Sequence, residues 1–412
     1  MTRIPRNHLV VHHVIAKVLQ RGWRRAARAL AGCAVMAAGV GAGAASAHAG
    51  GQEHGAARVQ AGASGVVDPL GTWVVKRHVA PTGFEGVWCA SPSLCLAATD
   101  TGPVMTSTDP AKGASATWSP DKVDDGGNSA WASCSPSLCV LATDNGEVFT
   151  SSDPKAGSSA RWAEESIGST LAGMSCPTRS LCVATDLYHS ILTSRNPEAG
   201  GSATWVAKAV EPVTGTADLG GVSCASVRLC VAFNAIGDVY TTTTPLLGAK
   251  ARWVPKHLDV TSPLTLVTTT TGRLVTKEQP ASPLAISCNP SLCALTDSAG
   301  DVIISTDASR GAASTWSVEH VEPPHTPTFT SSRGLSDISC PSAHLCVATN
   351  GDGAAAISTD PGAGASAKWE YGSLDPVAPT GSTISVSCPT PTFCVAVDVK
   401  GNILTSRDPG GR

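Results

Sequence analysis

The sequence predicts an all-β fold: a seven-bladed β-propeller with one disulfide per blade and a last blade closed by strands from both chain termini. Three observations lead there. Gly and Pro supply 69 of the 412 residues, about one in six, which implies many turns and many short strands. Beyond residue 49, fourteen cysteines fall into seven close pairs. A segment in which Gly lies four and Trp nine residues after an Asp, Asn or Thr recurs after each pair, and its last copy stops before its Trp.

The first element is an export signal, assigned to residues 1–49. Residues 1–28 hold seven Lys or Arg and no acidic group, and Ala29 to Ala47 is an uncharged stretch of mainly Ala, Gly and Val. Ala47-His48-Ala49 then offers small residues for cleavage ahead of Gly50. A membrane anchor is the competing reading, for which the stretch is weakly hydrophobic. Leu30-Ala31-Gly32-Cys33 spells a lipobox but sits at the start of the apolar stretch, and Arg24-Arg25 lacks the rest of a twin-arginine motif. The expectation is a secreted protein, outside the cell or in its envelope, with no transmembrane segment in the mature chain. Residues 50–70 read as a flexible Gly/Ala-rich linker and 71–412 as the propeller. After the signal, 22 basic residues face 32 acidic ones, and that net charge of −10 argues against nucleic acid or an anionic membrane as partner.

The propeller follows from its repeats. The cysteine pairs are Cys89 with Cys95, Cys134 with Cys139, Cys176 with Cys182, Cys224 with Cys230, Cys288 with Cys293, Cys340 with Cys346 and Cys388 with Cys394. Successive pairs start 45, 42, 48, 64, 52 and 48 residues apart. In the second repeat, period-two alternation places an inner strand near 130–134, a second at Cys139–Thr143, a third at Glu147–Ser151 and an outer strand from Arg161-Trp162. Asp144-Asn145-Gly146 is the tight turn of its central hairpin. Downstream of the pairs lie TSTDPAKGASATW, TSSDPKAGSSARW, TSRNPEAGGSATW, TTTTPLLGAKARW, ISTDASRGAASTW and ISTDPGAGASAKW, while TSRDPGGR ends the chain. The Trp missing from the last copy stands in Gly71-Thr72-Trp73. The seven Trp positions are therefore Trp73, Trp118, Trp162, Trp205, Trp253, Trp316 and Trp369. A linear stack has no need of complementary ends, whereas a ring closed by one blade shared between the termini does. A β-sandwich leaves the displaced Trp unexplained.

In each such segment a Ser hydroxyl and an Asp carboxylate can hold the turn backbone, Pro presets the next φ and Gly permits the bend. The Trp packs a large ring against the neighbouring blade. The segments resemble Asp-box repeats, also called bacterial neuraminidase repeats, which occur in sialidases and in non-catalytic propellers, including photosystem-assembly-factor-like ones. The resemblance covers essentially all of 71–412 and departs in one respect: the Trp follows nine residues after the Asp, a longer interval than the family's. Asp109, Asp153, Asp307, Asp360 and Asp408 recur once per blade, which marks them as structural. The cysteine pairs lack the spacing and the neighbouring His of a zinc site, so an exported chain should form one local disulfide per blade. Each loop closure is worth about 2 kcal/mol in the chain-entropy model. Asp100, Asp144, Asp186, Asn234, Asp297, Asn350 and Asp398 end the second strands, either as turn-initiating groups or as a polar, cation-binding ring.

The resemblance implies two functional classes. A sialidase-like glycoside hydrolase needs three arginines, a Tyr nucleophile assisted by Glu, and an Asp acid, on the face opposite the boxes. Here Arg179 and Arg228 fall in cysteine turns, Arg195, Arg310 and Arg407 in box loops, and Arg161 and Arg252 beside the Trp positions. Arg273 and Arg333 fall in crossovers between blades, and of the three tyrosines only Tyr188 falls in a hairpin of that face. The expectation is therefore a non-catalytic recognition or scaffold module for a protein or glycan, without cofactor or metal, acting as a monomer. Its binding residues should lie in the two longest crossovers. These run 35 residues from Trp253 to Cys288 and 24 from Trp316 to Cys340, against 14 to 19 elsewhere. The first alternates apolar and Thr residues on both sides of Thr271-Gly272 and should form an extra hairpin; the second carries Pro323-Pro324-His325. Arg273, Lys277, His325, Phe329 and Arg333 are the expected contact residues.

Overall fold

Seven four-stranded antiparallel sheets follow one another along the chain, as the repeats require. The structure, a computed structural model, describes residues 70–99, 103–121, 123, 129–143, 145–210, 217–268, 274–321, 334–351, 353–375 and 383–411. All of them belong to the unit Ser64–Arg412. The export signal at 1–49 and the linker up to residue 69 lie outside the described residues. Leu70, the end of the expected linker, is buried, and its N–H donates to Ser373 O at 2.8 Å.

Blade 4 shows the plan: Leu219–Ser226 innermost, then Leu229–Asn234, Asp238–Thr242 and Val254–His257 outermost. The second strands read as unbroken apolar runs because both their faces are covered by neighbouring blades. Leu138–Thr143 and Leu181–Asp186, for example, are buried throughout. In blade 2 the inner and third strands, Ser129–Ser135 and Glu147–Ser151, fall where the alternation puts them. The outer strand begins at Ala163 rather than Arg161, because the Arg161 N–H is already given to Asp153 Oδ1 at 3.0 Å.

The last blade joins the termini. Thr383–Thr390, Phe393–Asp398 and Ile403–Asp408 come from the end of the chain and Thr72–Lys76 from its start, with Trp73 opposite Ser406 and Val75 opposite Leu404.

The seven expected disulfides are all formed, one per blade, each across the turn from first to second strand. Cys89 is bonded to Cys95, Cys134 to Cys139, Cys176 to Cys182 and Cys224 to Cys230. Cys288 is bonded to Cys293, Cys340 to Cys346 and Cys388 to Cys394. The Cα atoms of the pairs lie 3.9–4.2 Å apart. The two members of a pair are not equivalent. Cys95, Cys139, Cys182, Cys230, Cys293, Cys346 and Cys394 sit on the second strands and are completely shielded from solvent. Their partners Cys89, Cys134 and Cys288 on the inner strands are only partly buried. The bonds are thus strand-to-strand staples sunk into the seams, as a structural disulfide requires.

No single core exists; the apolar interior is divided among seven seams between blades. Trp118 packs with Phe84, Val87, Phe393 and Val395 between blades 7 and 1. Trp253 packs with Leu181, Val183 and Leu219 between blades 3 and 4, and Trp73 with Leu345, Val347 and Ile357 between blades 6 and 7. Trp162, Trp205, Trp316 and Trp369 fill the equivalent seams. Each Trp thus links its own blade to the one before, which is why the last blade must borrow Trp73.

A second linkage runs around the inner strands. The N–H of the first Cys in a blade donates to the hydroxyl of a Ser one blade back: Cys176 to Ser133, Cys224 to Ser175, Cys288 to Ser223, Cys340 to Ser287, Cys388 to Ser339, and Cys89 to Ser387 across the closure, at 2.8–3.0 Å. Blade 1 carries Trp88 at the Ser position, so this ring skips the seam to blade 2. Inner strands approach closely where the side chain is missing: a Cβ on Gly173 would lie 2.7 Å from the Gly221 Cα.

Candidate recognition face

Strand direction divides the chemistry between two faces. The boxes and cysteine turns lie on one; the crossovers and the hairpins between second and third strands lie on the other.

On the box face the acidic groups are committed to the backbone. Asp153 Oδ1 accepts the Arg161 N–H and the Ser151 hydroxyl, each at 3.0 Å. Asp109, Asn196, Asp307 and Asp360 accept the corresponding N–H of Thr117, Thr204, Thr315 and Lys368 at 2.7–2.9 Å. The N–H groups of Arg161 and Thr315 hold the Asp153 and Asp307 carboxyls below the usual range. At Asp109 burial pushes the other way and is outweighed by the Thr117 N–H, Lys112 and Ser107. Carboxylates tied this way close loops and are poorly suited to proton transfer. Blade 4 has Thr244 at this position, bonded through its own N–H to Thr242 Oγ1 at 3.2 Å. A groove of about 190 Å³ at the rim of this face runs between Arg161, Trp162, Glu198 and Gly200, and Arg179 pairs with Glu198 at 2.7 Å beside it.

On the hairpin face the second-strand Asx residues are turn-builders. Asp186 Oδ1 accepts the N–H groups of Tyr188 and Ser190, Asn234 those of Ile236 and Asp238, and Asp398 those of Lys400 and Asn402. Asp100 and Asp144 lie outside the described residues. Three apolar side chains stand out of this face on consecutive blades: Tyr188 of blade 3 (67% exposed), Ile236 of blade 4 (36%) and Leu284 of blade 5 (41%). Tyr188 and Ile236 sit at hairpin tips, and Leu284 follows Pro283, which pairs with Asp297 at the mouth of the inner strand. Exposing three large apolar groups on adjoining elements runs against burial.

The two long crossovers leave from this same sector. The expected extra hairpin is present as a separate two-stranded sheet, Thr261–Thr268 against Leu274–Pro280. Lys277 lies in it, paired with Thr265; Arg273 and the Thr271-Gly272 turn lie outside the described residues. His325, Phe329 and Arg333, in the second crossover, also lie outside them. Each crossover is rooted by a histidine: His257 Nδ1 meets the buried Asp238 Oδ1 at 2.8 Å, and His320 Nδ1 meets the buried Asp301 Oδ1.

Sequence reading did not anticipate Ile236 and Leu284; superposing the hairpin tips of the repeats would have shown apolar residues at blades 3 and 4. It also passed over Asp337 on the inner strand of blade 6. Its Oδ2 accepts the Ser385 hydroxyl at 2.7 Å and the Val386 N–H at 3.0 Å, and Ser385 Oγ in turn accepts the Val87 N–H at 3.2 Å. This chain ties blades 6, 7 and 1, and burial pushes the Asp337 carboxyl up to about 6 against those hydrogen bonds. Among the described residues no group of three or more His, Cys, Asp or Glu is arranged to hold a metal. No helix among them is long and apolar enough to cross a membrane.

No protein-family model matches the chain, and no curated protein matches it. Solved structures do. YCF48 bound to D1 peptide superposes with a TM-score of 0.56 at 13% identity, covering 82% of this chain and 99% of that one. YCF48 from Cyanidioschyzon merolae gives 0.55 at 12%, covering 81% and 98%. The structure of U3-55K gives 0.58 at 10%, covering 81% and 98%. At these identities the likeness is one of fold, and the fold shared over nearly the whole of each neighbour is the propeller.

Proposed function

We propose that the chain is an exported, non-catalytic propeller that recognises a protein partner through the hairpin face of blades 3 to 5. The observation that carries this reading is that Tyr188, Ile236 and Leu284 are exposed on one face of three consecutive blades, the last two in the blades that the longest crossover joins. Apolar and aromatic anchors on a rigid scaffold suit protein recognition, where a few such groups supply most of the affinity. The likeness to YCF48 bound to D1 peptide supports a protein partner by analogy of fold. Export is supported by the basic, then apolar, then small-residue start of the chain and by seven disulfides, which persist in oxidising compartments. The box segments support kinship with Asp-box propellers, while their carboxylates, tied to loop backbone, give no support to hydrolase chemistry.

A photo-crosslinking residue at Tyr188, compared with one at Arg195 on the box face, tests the reading in the secreting cell. A single protein adduct found at 188 and not at 195 is the expected result. Adducts at 195 alone, or labelled glycan in place of protein at 188, would overturn it.

A further inference from the structure

Blades 4 and 5 carry the same constellation with one exchange. In blade 4, Asn234 Nδ2 donates to Asp238 Oδ2 at 3.0 Å, and Asp238 Oδ1 meets His257 Nδ1. Blade 5 repeats it as Asp297, Asp301 and His320, with Asp301 Oδ1 meeting His320 Nδ1. The donor amide of Asn234 has thus become a carboxyl. Other blades satisfy this position in their own ways. Asp186 Oδ2 accepts the Ser169 hydroxyl at 2.8 Å, Asn350 Nδ2 donates to Tyr371 Oη at 2.8 Å, and Asp398 Oδ2 accepts Asn402 Nδ2 at 2.7 Å. Among the described residues Asp297 is the exception. It is fully buried, its Oδ1 accepts the Ala299 and Asp301 N–H groups, and its Oδ2 is buried without a hydrogen-bond partner. A buried carboxylate oxygen left bare beside a second acid is costly.

We propose that Asp297 and Asp301 form a proton-binding site, in which one proton taken from solvent bridges Asp297 Oδ2 and Asp301 Oδ2 where blades 4 and 7 use an amide N–H. The Asp301 charge acts directly on Asp297, and the counterpart pairs of blades 4 and 7 close at 2.7–3.0 Å. The charged neighbour acting on Asp297 is Asp301 of its own hairpin; His320 of the outer strand reaches Asp301, and the backbone N–H groups of Ala299, Gly300 and Asp301 favour the ionised form. Burial, with the Asp301 charge, nonetheless pushes Asp297 up to about 6.

The site's position gives the proton a consequence. The hairpin Asp297–Asp301 carries both feet of the crossover through 322–333. His320 is bonded to Asp301, the Val321 N–H donates to Gly300 O at 3.4 Å, and Gly334 packs so closely that a Cβ there would lie 2.7 Å from the Ser298 Cα. Loss of the proton sets two carboxylates against each other in the hairpin that holds His320, Val321 and Gly334, so the seating of these three residues depends on pH near neutrality. This holds whatever the face binds, and its failure would leave the recognition reading untouched.

Carboxyl carbon NMR of the intact protein labelled at Asp tests it, with the Asp297 signal assigned by its loss in Asp297→Asn. The expected Asp297 midpoint is about 6, displaced from the ordinary 3.8. Asp297→Asn should keep the fold, restore the blade 4 arrangement and remove part of the loss of melting temperature that accrues between pH 3.8 and about 6. The reciprocal Asn234→Asp should create a second raised midpoint in blade 4. A midpoint near the ordinary value would overturn the proposal, as would a blade 5 midpoint that shifts with added calcium or zinc, since the seat would then hold a metal. Should Asp297→Asn fail to fold, Asp301→Asn, patterned on Asn402, gives the same reading.

Discussion

At the scale of single residues, the repeats act as internal controls. Five described boxes hold their loop with an Asp or Asn side chain, and blade 4 uses Thr244. Thr244→Asp is expected to add the missing acceptor for the loop backbone and stabilise the protein by about 0.5–1 kcal/mol. Asp360→Ala, which strips the acceptor from the Lys368 N–H and the Ser358 hydroxyl, should cost about 1–2 kcal/mol. Denaturant melts of the two variants at one pH would check both. Acidity gives a further outcome. Asp297 and Asp337, raised to about 6, are stabilised as neutral acids by the folded state. Their contribution is complete below the unfolded value, near 3.8, and lost as pH rises through about 6. Each shift is worth on the order of 2–3 kcal/mol. The melting temperature should therefore fall across that window, and a melt series with Asp297→Asn and Asp337→Asn should flatten it.

At the scale of elements, the strand Thr72–Lys76 and the hairpin from Thr261 to Pro280 make opposite predictions. The strand completes the last blade and carries Trp73 into the seam with blade 6. Deleting residues 70–76 removes that ring and bares the edge Ile403–Asp408, and should cost more than the roughly 3–5 kcal/mol of a core Trp→Ala change. A deletion ending at residue 69 should leave the melting temperature unchanged. Equal melts for both truncations would count against circular closure. The hairpin, in contrast, is a sheet of its own whose base is already closed. Val260 and Ala281 are buried, and the Ala281 N–H donates to Val260 O at 3.1 Å. Replacing 261–280 by a short turn should change stability little. Both elements were legible in sequence because each carries its signal locally: a Trp without its box, and alternation around Thr271-Gly272. The disulfides were legible for the same reason, since Cys95 or Cys394 lies within a turn's length of its partner. What could not be read was the hydrogen bonding made between blades. The Ser-to-Cys ring is invisible because donor and acceptor are about 50 residues apart and belong to different repeats. Leu284 sat in an apolar run that reads as core; only its place at the mouth of the inner strand exposes it. Asp297 read as a turn residue, and its conflict with Asp301 emerges only when blade 4 is laid beside blade 5.

At the scale of the whole molecule, stability is shared around a ring. Seven seams join each blade to its neighbours, a hydroxyl chain adds to six of them and a disulfide staples each blade internally, so no blade depends on a central core. Such a disc holds its faces rigidly and leaves the hairpin tips and crossovers to specify a partner. The hairpin face of blades 3 to 5 is one place where the described surface departs from a purely structural design, the blade 4 box with Leu246 and Leu247 being another. The most direct measurement is the affinity of the protein crosslinked at Tyr188 for three purified forms: wild type, a triple variant with Tyr188→Ser, Ile236→Ser and Leu284→Ser, and Arg195→Ser on the box face. The account predicts that the triple variant keeps its melting temperature and loses at least about tenfold in affinity, because apolar anchors of this kind are each worth more than about 1 kcal/mol. Arg195→Ser should bind as wild type does. Undiminished binding by the triple variant, or a loss confined to Arg195→Ser, would contradict it.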